Sequence, residues 1–235
     1  MKRWILITGI VVTLGPTGRQ AVGQVGHDPS NTPYRDLVMG SGPVVFAGYL
    51  GGDRGRAGVG PSNAMTFGAR YELPTGRSLV LQVSAAYLQG DRFIANPAVN
   101  ATDPERRTGP ADTDLLHAEV AMQLRLTGVK TWHGLAPYLG FGVGMAFDAG
   151  SPGDTTNSGY EFRSKLTFSA GTGLRVQTSR RIKLHADVRM LFWRLRYPVS
   201  FHSSAPDGSR VVPLEENLTD WTIHPWISLG AGWTF

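Results

Sequence analysis

From residue 44 to the final Phe235, apolar and polar side chains alternate with a period of two in eight successive segments. That period places neighbouring residues on opposite faces of an extended strand, one face in each of two environments. In one segment Phe162, Leu166, Phe168, Ala170, Leu174 and Val176 share a face, against Arg163, Lys165, Thr167, Ser169, Gly171, Gly173, Arg175 and Gln177. In the last segment Trp221, Ile223, Ile227, Leu229, Ala231, Trp233 and Phe235 oppose Asp220, Thr222, His224, Ser228, Gly230, Gly232 and Thr234. The same alternation runs through residues 65–72, 79–87, 116–126, 139–148 and 182–192, and more briefly through 44–50. The chain therefore reads as all-β.

The links between segments alternate in length. Residues 74–77, 127–135 and 178–180 are short connections; residues 90–111, 149–161 and 200–217 are long and rich in Pro, Asp, Asn, Ser and Gly, with 51–61 intermediate. Short and long links taking turns is the pattern of an eight-stranded antiparallel up-and-down barrel whose long loops share one end. An even strand number brings both ends of the barrel to the short-turn side.

A soluble barrel would turn its apolar face inward, and three features predict the opposite. The polar faces carry glycine in runs (Gly140, Gly142 and Gly144; Gly171 and Gly173), which suits a narrow interior. They also carry charges of both signs, Arg70, Glu72, Glu119, Arg125, Arg175, Lys183, Asp187 and Arg189, which can neutralise one another in a crowded lumen. Finally, Tyr71, Tyr87, Trp132, Tyr138, Trp221 and Trp233 stand near segment ends, where amphipathic rings settle at a membrane interface. Segments of roughly 9–11 residues are long enough to cross a bilayer as tilted strands.

Composition and charge refine this picture. Residues 1–23 join Lys2 and Arg3 to an apolar run at 4–14 and a small-residue stretch, the form of an export signal too short to anchor as a helix. Residues 24–42 are polar, without periodicity, and are expected to form a short unordered leader; residues 43–235 are the barrel. The formal charge of +5 falls to 20 basic against 18 acidic residues once Lys2, Arg3 and Arg19 are set aside, so nucleic acid is not expected as a partner. With no cysteine, disulfide scaffolds and cysteine-held metals are excluded.

Two strands carry a resemblance. The terminal run Gly230-Ala231-Gly232-Trp233-Thr234-Phe235 and the run Pro137 to Gly144 resemble strands of the small outer-membrane β-barrels that include the OmpA-type membrane domain. Over residues 42–235 the resemblance implies an outer-membrane location, with lipids and lipopolysaccharide as surroundings and a monomeric barrel. It also implies that Trp233 and Phe235 form the signal read by the outer-membrane assembly machinery. On activity it says almost nothing.

Candidate chemistry is sparse. The strand glycines lack the spacing and following helix of a nucleotide loop, and no cofactor or metal is expected. His185 and Asp187 share a strand face, as a metal pair or a lumen network would require. His202, Ser204 and Glu216 form the sharpest catalytic triplet: two residues apart on an extended segment, the imidazole and hydroxyl share a side, and a carboxylate orients the ring. The spacing is similar to that of lipid A-deacylating barrels, although Ala205 stands where those have Asn. A narrow conduit is a further reading, against which eight strands leave an interior that side chains fill. Two irregularities remain. Pro225 interrupts the last segment, implying a bulge or the strand's outer end. In the seventh segment the apolar register moves to Trp193, Leu195, Tyr197 and Val199; either a bulge flips the phase, or Arg194 and Arg196 already stand above the membrane, where they meet lipopolysaccharide phosphates.

Overall fold

The computed structural model describes residues 32–150, 156 and 158–235. The expected signal segment, residues 24–31 of the leader and part of one long loop lie outside the described residues. Ten strands follow in order: β1 (Tyr34–Asp36), β2 (Gly42–Leu50), β3 (Ala64–Pro74), β4 (Leu79–Ala95), β5 (Arg107–Arg125), β6 (Lys130–Trp132), β7 (Leu135–Asp148), β8 (Lys165–Gln177), β9 (Ile182–Arg196) and β10 (Thr219–Trp233). Eight of them close an antiparallel up-and-down barrel in the order β2-β3-β4-β5-β7-β8-β9-β10, with β10 pairing back onto β2. The remaining two, β1 and β6, pair with each other beside the β5–β7 turn.

The period-two pattern decides which side faces where. Phe67, Phe141, Leu166, Ile227 and Leu229 project outward and are exposed, Leu229 by 67%. Arg70, Glu72, Glu119, Lys183 and Asp187 project inward and are buried. A belt of exposed apolar side chains around the whole circumference is far more than a soluble monomer leaves in water. Hydrocarbon removes that cost, and the ladder closes on itself through the β10–β2 pairing, so the sheet has no open side along the span. The molecule is a transmembrane barrel. Tyr71, Tyr87, Trp132, Trp221 and Trp233 are exposed on its outer surface, but Tyr138 is not: it has the parity of Gly140 and turns into the lumen.

Several expectations change in detail. The β4–β5 link is shorter than its polar composition implied, because the two strands pair on to Ala95 and Arg107, with a register shift between Arg92 and Ile94. Asp91 and Pro110 read as loop residues yet sit in a hairpin that outgrows its neighbours. Phe162 was expected on the outer face; the chain leaves β8 before reaching it, and the ring is fully buried, edge-on to Trp193 at 5.8 Å. Arg163, expected on the inner polar face, is exposed in the same loop.

Neither irregular segment contains a bulge. The β9–β10 register is unbroken from Thr219↔Arg196 to Trp233↔Ile182. Pro225 sits opposite Met190 within it, and its missing N–H faces the end of β2 instead. There the Gly51 N–H donates to the Pro225 carbonyl at 2.7 Å, and the Gly51 carbonyl lies 3.3 Å from His224 Nδ1. Beyond Leu50 the upper part of β10 has lost its β2 partner, and the 51–63 loop substitutes for it. The Ile223 N–H donates to Asp53 at 3.2 Å and the Arg56 N–H to Asp220 at 2.8 Å.

The leader also departs from expectation where it is described. Its Tyr34–Asp36 stretch pairs with β6, the Leu37 N–H donates to the Val129 carbonyl, and Leu37 is buried. Residues 33–39 thus pack on the β5–β7 connection. Polar composition hid this, because a three-residue edge strand needs no periodicity to form.

Candidate functional site

The lumen is filled in three layers. Nearest the short turns is an ionic layer centred on Glu72. Its carboxylate meets Lys183 at 2.7 Å, Arg175 at 2.9 Å, Arg70 at 3.5 Å and the His185 ring at 3.8 Å. Arg70 also pairs with Asp187 at 2.9 Å, and the Tyr138 hydroxyl donates to the same carboxylate. Arg175 reaches Gln123, which donates to Gln82 at 2.6 Å. Higher up, Arg189 pairs with Glu119 at 2.7 Å. The expected network is therefore assembled from β3, β5, β8 and β9, whose inward positions alternate at matching heights.

Arg125 stands apart. Among the described residues it makes no ion pair, and its guanidinium lies against the Met39 sulfur at 2.6 Å, beneath the leader. His185 and Asp187 are both spent on this network, on Glu72 and on Arg70 with Tyr138. No metal-sized cluster occurs among the described residues.

The middle layer is aromatic and polar. Trp226 donates to Thr66 at 3.0 Å, is crossed by the Arg189 guanidinium at 4.4 Å, and packs edge-on to Phe46 and His117. His117 in turn meets Thr167 at 3.0 Å. At the long-loop end the lumen becomes apolar: Leu50, Leu88, Leu115, Leu191, Trp193 and Leu195 are fully buried there. A small cavity in the wall beside Tyr138 and Asp187 measures about 10 Å³, and about 10–15 Å³ is the space one water molecule needs.

The long loops close over this plug. Tyr160 from the β7–β8 loop packs against Tyr197 and Phe201 of the β9–β10 loop, with centroid distances of 5.9–6.3 Å within the cluster. Polar ties cross between loops: Arg56 to Glu216 at 2.8 Å, Arg107 to the Gly58 carbonyl at 2.7 Å, and the Ala101 N–H to Asp207 at 2.8 Å. Burial raises the Tyr197 phenol to about 12 and pushes the Tyr160 phenol up as well, so both remain neutral at ordinary pH. The Ser209 hydroxyl, with two backbone N–H donors, holds the Asp207 carboxyl down near about 2.

The catalytic triplet is not brought together. His202 ends a short 3₁₀ turn, Val199–His202, so the extended geometry that would align it with Ser204 is absent. Glu216 is committed to Arg56 in the loop cap. No hydrogen bond joins the three side chains among the described residues. Arg194 and Arg196 are exposed on the outward face of β9, above Met190 and Phe192, while Trp193, Leu195 and Tyr197 fill the plug. Trp233 is exposed beneath the Arg181 guanidinium, and the Phe235 N–H donates to the Ser41 carbonyl at 3.0 Å.

The residues that sequence reasoning missed are the inward aromatics, Phe46, Tyr138, Trp193 and Trp226. A signal for them existed in parity: Tyr138 is in phase with Gly140 and Trp226 with His224 and Ser228.

No protein-family model matches this chain, and no curated protein matches it. Among solved structures it is similar to Neisserial surface protein A, at 11% identity over 87% of this chain and 98% of that one, with a TM-score of 0.49. It is similar to the outer membrane protein OprG of Pseudomonas aeruginosa, at 12% identity over 87% and 99%, TM-score 0.49. It is also similar to the N-terminal β-barrel domain of OprF from the same organism, at 12% identity over 86% and 100%, TM-score 0.46. The likeness is one of fold.

Proposed function

We propose that this chain is an exported integral protein of a Gram-negative outer membrane, with a structural and surface-interaction role rather than a catalytic one. The observation that carries the reading is a bilayer-facing apolar belt around a lumen that is filled from end to end and capped by interlocked loops. A barrel built in this way fixes a folded cap at the membrane surface; it does not open a path through it. Outer-membrane-type barrels keep their short turns on the periplasmic side and their longer loops outside, which places the cap on the cell exterior and the β1–β6 ladder in the periplasm.

The partners in this reading are the lipids around the belt, lipopolysaccharide in the outer leaflet, and the assembly machinery through Trp233 and Phe235. The ladder closes around the spanning part of the wall, so no strand edge there asks for a second copy, and the barrel acts as a monomer. Envelope fractionation combined with heat-modifiable gel mobility tests the reading. The expected result is recovery with outer membranes and a band that shifts on boiling; a soluble periplasmic chain without that shift overturns it.

A further inference from the structure

The barrel wall has a notch at its long-loop end, between β8 and β9. Pairing between these strands begins only at Thr167↔Trp193, so β9 rises through Arg194 and Arg196 with no β8 partner beside it. On the other side Lys165 and Leu166 still pair with β7, and the preceding chain swings away. The recess so formed has a volume of about 660 Å³ and is lined chiefly by Arg163, Lys165, Leu166, Arg194, Arg196 and Trp221.

Its two halves differ in chemistry. The upper half holds four cations against one carboxylate, Glu161, which is itself paired with Arg163 at 2.8 Å. Arg194 is steadied by a 2.7 Å bond to the Thr219 hydroxyl, and the Lys165 ammonium is anchored on the Phe162 carbonyl. Arg196 makes no ion pair among the described residues. The lower half is apolar and continuous with the belt: Leu166 and Trp221 are each more than half exposed, and Trp221 leans on Phe168 at 6.3 Å. A soluble anion would satisfy the cations and leave the apolar wall wet; an apolar ligand would do the reverse.

We propose that this notch is a binding site for a phosphorylated lipid of the leaflet on the long-loop side, with a headgroup bearing more than one phosphate. The guanidinium forks of Arg194 and Arg196 take phosphate oxygens in pairs, Arg163 holds the rest of the headgroup with the buried Lys165 adding charge behind it, and the acyl chains descend over Leu166, Phe168 and Trp221. The inference rests on the membrane placement proposed above and adds to it a defined site and ligand class.

The test uses the full barrel purified in detergent, with native mass spectrometry counting the lipid each protein retains. Three probes are needed: bisphosphorylated lipid A, the same lipid stripped of its phosphates, and inorganic phosphate as competitor. Wild type is expected to keep one bisphosphorylated lipid, and R194Q/R196Q to bind it at least about tenfold more weakly. The stripped lipid should be retained by neither, and K130Q/R180Q, an equal loss of charge at the opposite end, should behave as wild type. Equal retention by wild type and R194Q/R196Q overturns the site, as does equal retention of the stripped lipid. An equal loss in K130Q/R180Q makes the effect one of general charge, and full displacement by millimolar phosphate makes the site a free-anion site; each also overturns the proposal. Heat-modifiable mobility is read on every protein, with R196Q alone replacing the double variant if that fails to fold. Failure of wild type to shift speaks against the membrane reading; loss of lipid preference with the shift intact speaks against the notch alone.

Discussion

Glu72 shows what a single buried side chain can be made to hold. Arg70, Arg175, Lys183 and the His185 ring converge on it in the lumen, and its removal leaves Arg175 and Lys183 without a carboxylate, while Arg70 keeps Asp187. Breaking a buried pair from one side costs about 3–5 kcal/mol. Glu72→Gln is therefore expected to lower stability by at least that amount, seen as a shifted urea midpoint of the folded gel band. Glu119→Gln, which strands only Arg189, should cost less; equal effects would refute the hub. The cap tyrosines offer a second check. Their phenols are raised in the folded state, so the stability they lend is intact below their ordinary value near 10 and is lost as pH rises through about 12. Absorbance titration of the folded barrel should show a late tyrosinate component that Tyr197→Phe diminishes and Tyr160 keeps in part, whereas the unfolded chain titrates near 10 throughout. A folded barrel with no late component would contradict the burial of these rings.

At the scale of the strand, the glycines separate into two kinds. A side chain at Gly173 would begin 2.3 Å from the Tyr138 ring, whereas nothing lies within 4 Å of one at Gly140. Gly173→Val is expected to cost about 1–3 kcal/mol as an overpacked interior, with Tyr138 pushed off Asp187. Gly140→Ala should be nearly silent, and comparing the two urea midpoints decides it. On the outer face, Leu229→Arg should cost about 2–4 kcal/mol in a bilayer, the usual penalty for a cation on a lipid-facing strand position.

The strand is also the scale at which the chain was most legible. Alternation identified all eight spans and the inward charges, because every second residue answers to the same environment. It failed where the environment changes along one strand: Trp193 and Leu195 occupy inward positions that are ionic lower down, so a change of lumen layer looked like a change of register. It failed again at Phe162, where parity was carried past the strand's true end. The His202, Ser204 and Glu216 triplet lies in a loop, where sequence distance says little about spatial distance, and the 3₁₀ turn at His202 and the Arg56 pairing of Glu216 are not written in its spacing.

The molecule as a whole is a filled cylinder. Its lumen carries a run of ion pairs, a tryptophan crossed by an arginine, and an apolar stopper. In planar bilayers the wild-type barrel is expected to give no stable conductance steps; regular openings at ordinary voltages would show that the stopper moves.

The height of the wall is uneven, and this has a consequence beyond the bilayer. β4 and β5 remain paired to Ala95 and Arg107, well past the points where β3 lets go of β4 at Gly90 and β7 lets go of β5 at Leu115. On the far side, β8 starts low and leaves the notch. The rim is a battlement with one tower and one gap. In the orientation proposed above, a body approaching along the barrel axis from the long-loop side would touch the tower first, while one moving in the plane of the bilayer would find the gap. In that orientation one small barrel turns a different edge to each direction of approach.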